Sequence, residues 1–396
     1  MLKKKLVLVG FILLIGLVCF GQAFADLKNV FSKFDMKLYG RIKIDTHYDT
    51  VAFESYNDFI GVIAANPDYR GDSIDFNPRD TRFGFIVTHT TGNFTAIGHF
   101  ENDFYGDILG NNIQPRIRLA YVKLVYNPTN TSLLVGQDWI PLPQQNPHMV
   151  EFGILAHGGN LWWRIPQITL RQKLGNFEFL FSLMRHRRVS VYEDQWGYPW
   201  VLGRIAYNLP FLEKGSLIAI GGGFMTDRRR LYSWDGSKWK KTSQEKRIHR
   251  WLAAVEWKLK KDPIEIKGEA WVGQGLGSHF LRYDNDYNPT NGEEIRSQGG
   301  FISILYNTPI KKLALAGGFG IDHNTTSDLK GLNWERAQND PGFYKRRYKQ
   351  NMVWFSNIRY KITEGVTLML EYIRMNTMRD DERVGDRITF SAFYSF

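Results

Sequence analysis

Cysteine is almost absent: Cys19 is the only one in 396 residues. It lies in an apolar stretch behind Val18, a poor setting for a lipoprotein attachment site. The chain downstream therefore has no thiol, which excludes disulfide staples, thiolate catalysis and cysteine metal sites. Long hydrophobic runs are missing too. Mean hydropathy is −0.33, and no stretch after the first 25 positions approaches the roughly 18 apolar residues of a membrane helix. Histidine is sparse: His47, His89, His99 and His249 are present, but none stands in a local nucleophile motif. Acidic residues (40) are outnumbered by basic ones (51), giving a formal charge of +11. No basic stripe lies on a helix, so this charge does not point to nucleic acid.

Aromatics make up 15% of the chain, and there are 37 glycines. The first 25 residues read as an export address. Lys3, Lys4 and Lys5 form a positive start, Leu6 to Phe20 an apolar core, and Ala23-Phe24-Ala25 a small-residue cleavage site. The expected organisation is a cleaved signal peptide (1–25), a short periplasmic segment (26–35) and one β-domain (36–396).

Alternation with period two dominates that domain. Met36, Leu38, Gly40, Ile42 and Ile44 share one strand face, while Lys37, Tyr39, Arg41, Lys43 and Asp45 share the other. Ile264, Ile266, Gly268, Ala270 and Val272 alternate with Glu265, Lys267 and Glu269. The final stretch places Ile388, Phe390, Ala392, Tyr394 and Phe396 on one face and Thr389, Ser391, Phe393 and Ser395 on the other. Such a strand suits the closing seam of a barrel, where an open edge in lipid is not tolerated. About 16 strands are expected on this pattern.

The connections alternate short and long. Short ones fall around 91–93, 127–131, 174–176, 208–215, 260–263, 307–311 and 363–365, and are rich in Gly, Asn and Pro. Long ones fall near 50–80, 104–114, 140–161, 187–199, 226–248, 275–297, 322–350 and 376–386. This rhythm predicts an all-β, transmembrane, antiparallel up-and-down barrel with periplasmic turns and extracellular loops. Tyr126, Tyr207, Tyr306, Tyr360 and Tyr394 recur at the short-turn ends, as in an interfacial aromatic girdle.

A barrel of that size leaves an aqueous lumen. Its inward faces would present Lys37, Arg41, Lys43, Arg82, Arg116, Arg118, Arg164, Arg171, Arg204 and Arg250 against Asp45, Glu101, Asp103, Glu256, Glu265, Glu269 and Glu371. Basic side chains exceed acids in the first half, which favours anions. The bland alternative is a wall of ion pairs with no selectivity of its own. The connection 140–161 combines Pro141, Pro143 and Pro147 with Gly158-Gly159. By analogy with 16-stranded porins it folds inward and narrows the pore, with Gln144, Gln145, His148, Glu151 and His157 as candidate constriction residues.

Several short segments resemble the DcaP-like trimeric porins. They are Arg82-Phe83-Gly84-Phe85, Glu101-Asn102-Asp103-Phe104-Tyr105-Gly106, Arg116-Ile117-Arg118-Leu119-Ala120-Tyr121 and Gly136-Gln137-Asp138-Trp139. Arg164-Ile165-Pro166-Gln167-Ile168, Gly268-Glu269-Ala270-Trp271, Gly273-Gln274-Gly275-Leu276 and Glu371-Tyr372 are similar to later segments. The resemblance implies a homotrimer that admits small anionic solutes such as dicarboxylates, with Arg82, Arg116, Arg118 and Arg164 as the matching arginines. Members often carry an N-terminal coiled coil, and Asp26 to Asp35 is too short for one.

The expected function is passive diffusion across the bacterial outer membrane, among lipid and lipopolysaccharide, with no cofactor. A loop-based receptor or adhesin is the alternative, followed by a barrel hydrolase. Asp284, Asp286 and Asn288 have the spacing of a calcium loop, but Pro289 and Ile295 stand where it needs Gly and Glu. No metal site is therefore assigned.

Overall fold

The computed structural model describes residues 34–56, 59–64, 72–106, 113–186, 198–235, 239–280, 282, 285–330 and 347–396. The export address, residues 26–33 and Asp284 lie outside them.

Nineteen strands run through the described residues: β1 (Asp35–Asp49), β2 (Phe53–Tyr56), β3 (Phe59–Ile63), β4 (Ser73–Asn77), β5 (Arg82–Thr91), β6 (Phe94–Asp103), β7 (Arg116–Tyr126), β8 (Thr131–Trp139), β9 (Arg164–Leu174), β10 (Phe177–Met184), β11 (Trp200–Asn208), β12 (Leu217–Trp234), β13 (Trp239–Lys261), β14 (Ile264–Gln274), β15 (Arg296–Asn307), β16 (Leu313–Asn324), β17 (Gln350–Lys361), β18 (Val366–Met378) and β19 (Glu382–Ser395). β4 and β5 follow one another along the same edge of β1 and count as one wall position. With β1 and β6 to β19 they close a ring of 16, each strand antiparallel to its neighbours. The seam is β1 on β19, from Arg41 opposite Ser395 to Asp49 opposite Arg387.

The alternation read from the sequence sorts the two faces as expected. On β1, Ile42, Ile44 and Tyr48 are exposed outward, while Lys43, Asp45 and His47 are buried inward. An outward apolar face contributes nothing in water, but in a bilayer every backbone group of a closed ring is already paired. Tyr126, Tyr360 and Tyr394 are exposed at the short-turn end, where Phe94 meets Tyr126 and Phe177 meets Tyr207 as tilted ring pairs.

Two features go beyond the alternation. β2 and β3 form a hairpin within the first long connection, outside the wall sheet. Phe59, Ile60, Val62 and Ile63 are all buried, so a run apolar on both faces packs inside rather than spanning. Separately, β12 and β13 extend well past 216–225 and 250–259, the limits that apolar periodicity sets. The added ladder is mostly polar on its outward face, with Thr226, Arg228 and Arg230 opposite His249, Arg247 and Glu245, as suits a wall that stands beyond the lipid.

Candidate functional site

The segment after β8 leaves the wall and lies inside the barrel. Wall carboxylates and a serine on β13, β14, β15 and β18 hold its backbone. The amide N–H of Gln144 donates to Glu256 at 2.7 Å, and that of Leu161 to Glu269 at 2.8 Å. The N–H groups of Val150 and Glu151 each donate to one oxygen of Glu371, both at 2.8 Å. The His148 N–H donates to the Ser303 hydroxyl at 2.9 Å. Basic side chains meet its carbonyls: Lys43 Nζ donates to the Val150 carbonyl at 2.7 Å and Arg359 to the His148 carbonyl at 2.6 Å. A buried irregular segment must satisfy its backbone groups, and charged acceptors make these bonds stronger than neutral ones.

The loop tip touches the wall closely. A Cβ on wall residue Gly320 would lie 2.0 Å from the Gly158 carbonyl oxygen. Gly159 adopts φ of +101°, which suits glycine. Trp271 Nε1 donates to its carbonyl at 2.7 Å.

Of the five loop residues singled out from the sequence, Gln145 donates from its side chain to Glu256 at 3.3 Å. His148 bridges Ser303 (2.9 Å) and Glu265 (3.1 Å). Burial and the nearby Lys267 lower its pKa to about 4. Glu151 accepts the Ile60 N–H at 3.2 Å and the Gly153 N–H at 2.5 Å. Burial raises its pKa to about 8, although Arg387 lies 3.7 Å away and opposes that shift, and Glu371 adds to it. Gln144 engages Glu256 through its backbone, and His157 is fully buried, its carbonyl accepting from Asn351 at 2.8 Å.

The arginines of the first half do converge. Arg41, Lys43, Arg82, Arg116, Arg118 and Arg164 project from β1, β5, β7 and β9. Asp80, in the break between β4 and β5, binds Arg41, Lys43 (3.1 Å) and Arg82 (2.7 Å). Glu101 binds Arg118 at 2.5 Å, and Asp103 binds Arg116 (2.7 Å) and Arg118 (2.8 Å). Asp45 pairs with Lys43 at 3.0 Å. Six cations thus face four carboxylates.

Arg164 has no carboxylate partner among the described residues, and its Nη1 is buried without a hydrogen bond. Its guanidinium packs on Trp139 (4.9 Å) and Trp162 (5.3 Å) instead. Loop residue Phe152 sits among the Arg82, Arg116, Arg118 and Arg164 guanidiniums, 5.7 to 6.0 Å from each. Cations on aromatic faces are attracted to the ring quadrupole. Sequence reasoning missed this aromatic lining and Asp80, because Phe152 arrives from a loop and Asp80 was placed in a connection.

Arg171 and Arg204 lie elsewhere. Both bind Glu178 (2.5 and 3.2 Å), and Arg204 also binds Glu256 at 2.5 Å. Arg250 pairs with Asp227 at 3.0 Å. Between β7–β10 and the start of the loop, the lumen keeps a polar cavity of about 340 Å³ lined by Lys123, Asp138, Gln144, Gln167 and Arg171. Among the described residues no cluster of three His, Cys, Asp or Glu side chains could hold a metal.

No family model and no curated protein matches the chain. Solved structures do. The outer membrane channel DcaP of Acinetobacter baumannii is similar at 20% identity and a TM-score of 0.72, over 92% of this chain and 98% of that one. An anion-selective porin from Comamonas acidovorans matches at 11% identity and a TM-score of 0.58, over 92% and 100%. A trimer form of OmpT, an outer membrane protein of Vibrio cholerae, matches at 11% identity and a TM-score of 0.55, over 92% and 99%. The family resembled by the short motifs is therefore represented among structures of the same architecture. The fold of this chain is the closed 16-stranded antiparallel barrel of the outer-membrane porins.

Proposed function

We propose that this protein is a passive channel of the bacterial outer membrane that favours small anionic solutes, small carboxylates among them. On this reading residues 1–25 direct export and are removed, the barrel assembles as a homotrimer, and residues 140–161 form the constriction. The observation that carries the anion preference is the basic cluster: six cations against four carboxylates, with Arg164 buried and unneutralised. A fixed excess of positive charge in a narrow, partly dehydrated passage raises the local concentration of anions. The planar guanidinium also suits the two oxygens of a carboxylate. The anion selectivity of the Comamonas protein and the trimer of the Vibrio protein agree with this reading. Transport needs no cofactor, because the solute gradient drives it.

The test is reconstitution of the mature protein in a planar bilayer under a KCl gradient. Discrete steps with a reversal potential favouring chloride, reduced by small carboxylates, are the expected result. Steps favouring potassium would overturn the anion preference. Well-folded protein without conductance would overturn the channel.

A further inference from the structure

The β12–β13 ladder changes character along its outward face. Reading away from the short turns, the facing pairs are Ile220 and Val255, Gly222 and Ala253, Phe224 and Trp251, Thr226 and His249, then Arg228 and Arg247. Ile220, Phe224 and Trp251 are exposed, as expected of a lipid-facing wall. Arg228 and Arg247 are exposed as well and directly opposite one another. Among the described residues neither makes an ion pair. Like charges directly across a ladder are destabilising, so this pair lacks an anion. On the same ladder Glu245 pairs with Arg230 at 3.5 Å, and on the neighbouring connection Glu294 accepts the His249 backbone N–H at 2.8 Å.

Below the arginines the wall is hollowed. Gly203 faces Gly222, which faces Ala253, while Ile205, Ile220, Val255 and Ala270 form the next row. These small side chains leave an apolar groove of about 770 Å³ on the outward surface. A Cβ on Gly203 would meet nothing within 4 Å. From Gly222 to Arg228 the strand rises about 20 Å at the usual spacing. With the tilt of a barrel strand, that is about 15 Å along the membrane normal.

We infer that β11–β14 carry a binding site for one lipid A unit of lipopolysaccharide, its acyl chains in the small-residue groove and a phosphate between Arg228 and Arg247. The geometry matches an amphiphile whose phosphate sits just beyond its acyl layer, on the side of the long loops. A phosphate relieves the arginine–arginine repulsion through charge-assisted hydrogen bonds. Trp251, opposite Phe224, lies at the level between the two, where the amphipathic rings of Trp and Tyr mark the interface. The groove adds what a generic anionic surface would not read, the shape of the acyl part. This inference rests on the outer-membrane reading above.

The experiment is native mass spectrometry of the detergent-purified protein titrated with bisphosphorylated lipid A, dephosphorylated lipid A or phosphatidylglycerol. The proteins are the parent, the double variant Arg228→Ser/Arg247→Ser, and Gly203→Leu, which projects into the groove from a position where a Cβ meets nothing within 4 Å. The expected result is selective retention of one bisphosphorylated lipid A, weakened about tenfold by the arginine changes and also by Gly203→Leu. Equal binding of phosphatidylglycerol, or an unaffected arginine variant, would overturn the site. Channel recordings and membrane fractionation on the same preparations separate the two readings. An outer-membrane channel that binds lipid A no better than its arginine variant sinks the site alone. Protein that never reaches the outer membrane sinks the reading beneath it.

Discussion

Arg164→Gln isolates anion selectivity from stability. Arg164 is the one member of the basic cluster without a carboxylate partner, so its removal orphans no acid. The cluster's excess falls from two positive charges to one. A solute anion about 6 Å from the guanidinium, at an effective dielectric near 40, loses about 1.4 kcal/mol of attraction. That corresponds to about a tenfold fall in anion preference. Stability does not fall, because the cation–π contacts given up, about 0.5–2 kcal/mol, are smaller than the relieved desolvation cost of several kcal/mol. The contrast is Arg118→Ser, which strips Glu101 and Asp103 of a buried partner and costs about 3–5 kcal/mol. The assay is the reversal potential of single channels in a KCl gradient, beside thermal unfolding of both variants. A reversal potential unchanged in Arg164→Gln would refute the idea that the uncompensated guanidinium sets selectivity.

Further outcomes follow from the loop. Gly320→Leu places a side chain where the Gly158 carbonyl packs; it should displace the loop tip and enlarge or destabilise single-channel conductance, with the barrel still folded by circular dichroism. Glu151 has a native pKa of about 8, above its unfolded value, so its contribution is complete below about pH 4.3 and is lost as pH rises through about 8. Current noise should therefore grow between pH 7 and 9, and Glu151→Gln should abolish that growth. His148 has the opposite sign: its pKa is lowered to about 4, so its contribution is complete above about pH 6.5 and is lost as pH falls through about 4. Acid-induced gating that is weaker in His148→Asn would be the signature, read from conductance between pH 7 and 4. Glu371→Ala removes the acceptor of two loop amides and should cost about 2–5 kcal/mol of loop docking, seen as faster proteolysis within 140–161.

The wall was legible because lipid on one side and water on the other impose a period of two, and residues such as Ile42 and Lys43 obey it strictly. The ladder from Thr226 to His249 escaped notice because beyond the bilayer neither face needs to be apolar. The β2–β3 hairpin escaped for the converse reason: Phe59 to Ile63 is apolar on both faces, a pattern shared by any buried segment. For the site, inward-facing arginines could be named one by one, but not their partners. Whether Arg118 is neutralised and Arg164 is not depends on register and on a break at Asp80, which alternation does not encode. The cluster's aromatic centre, Phe152, is contributed by a loop about 35 residues downstream of the Arg116 and Arg118 guanidiniums it meets.

The three wall glutamates that fix the inner segment accept hydrogen bonds from four of its main-chain amides and one of its side chains. Glu256, Glu269 and Glu371 would hold almost any sequence of the same length and turns, since every residue but proline offers the same N–H. Side chains of the segment that bond to nothing in the wall, unlike Gln145 and His148, can therefore be exchanged with less risk to its path. A barrel built this way permits a change of cargo by substitutions at positions such as Gln144 or Phe152, while the frame that presents them stays as it is.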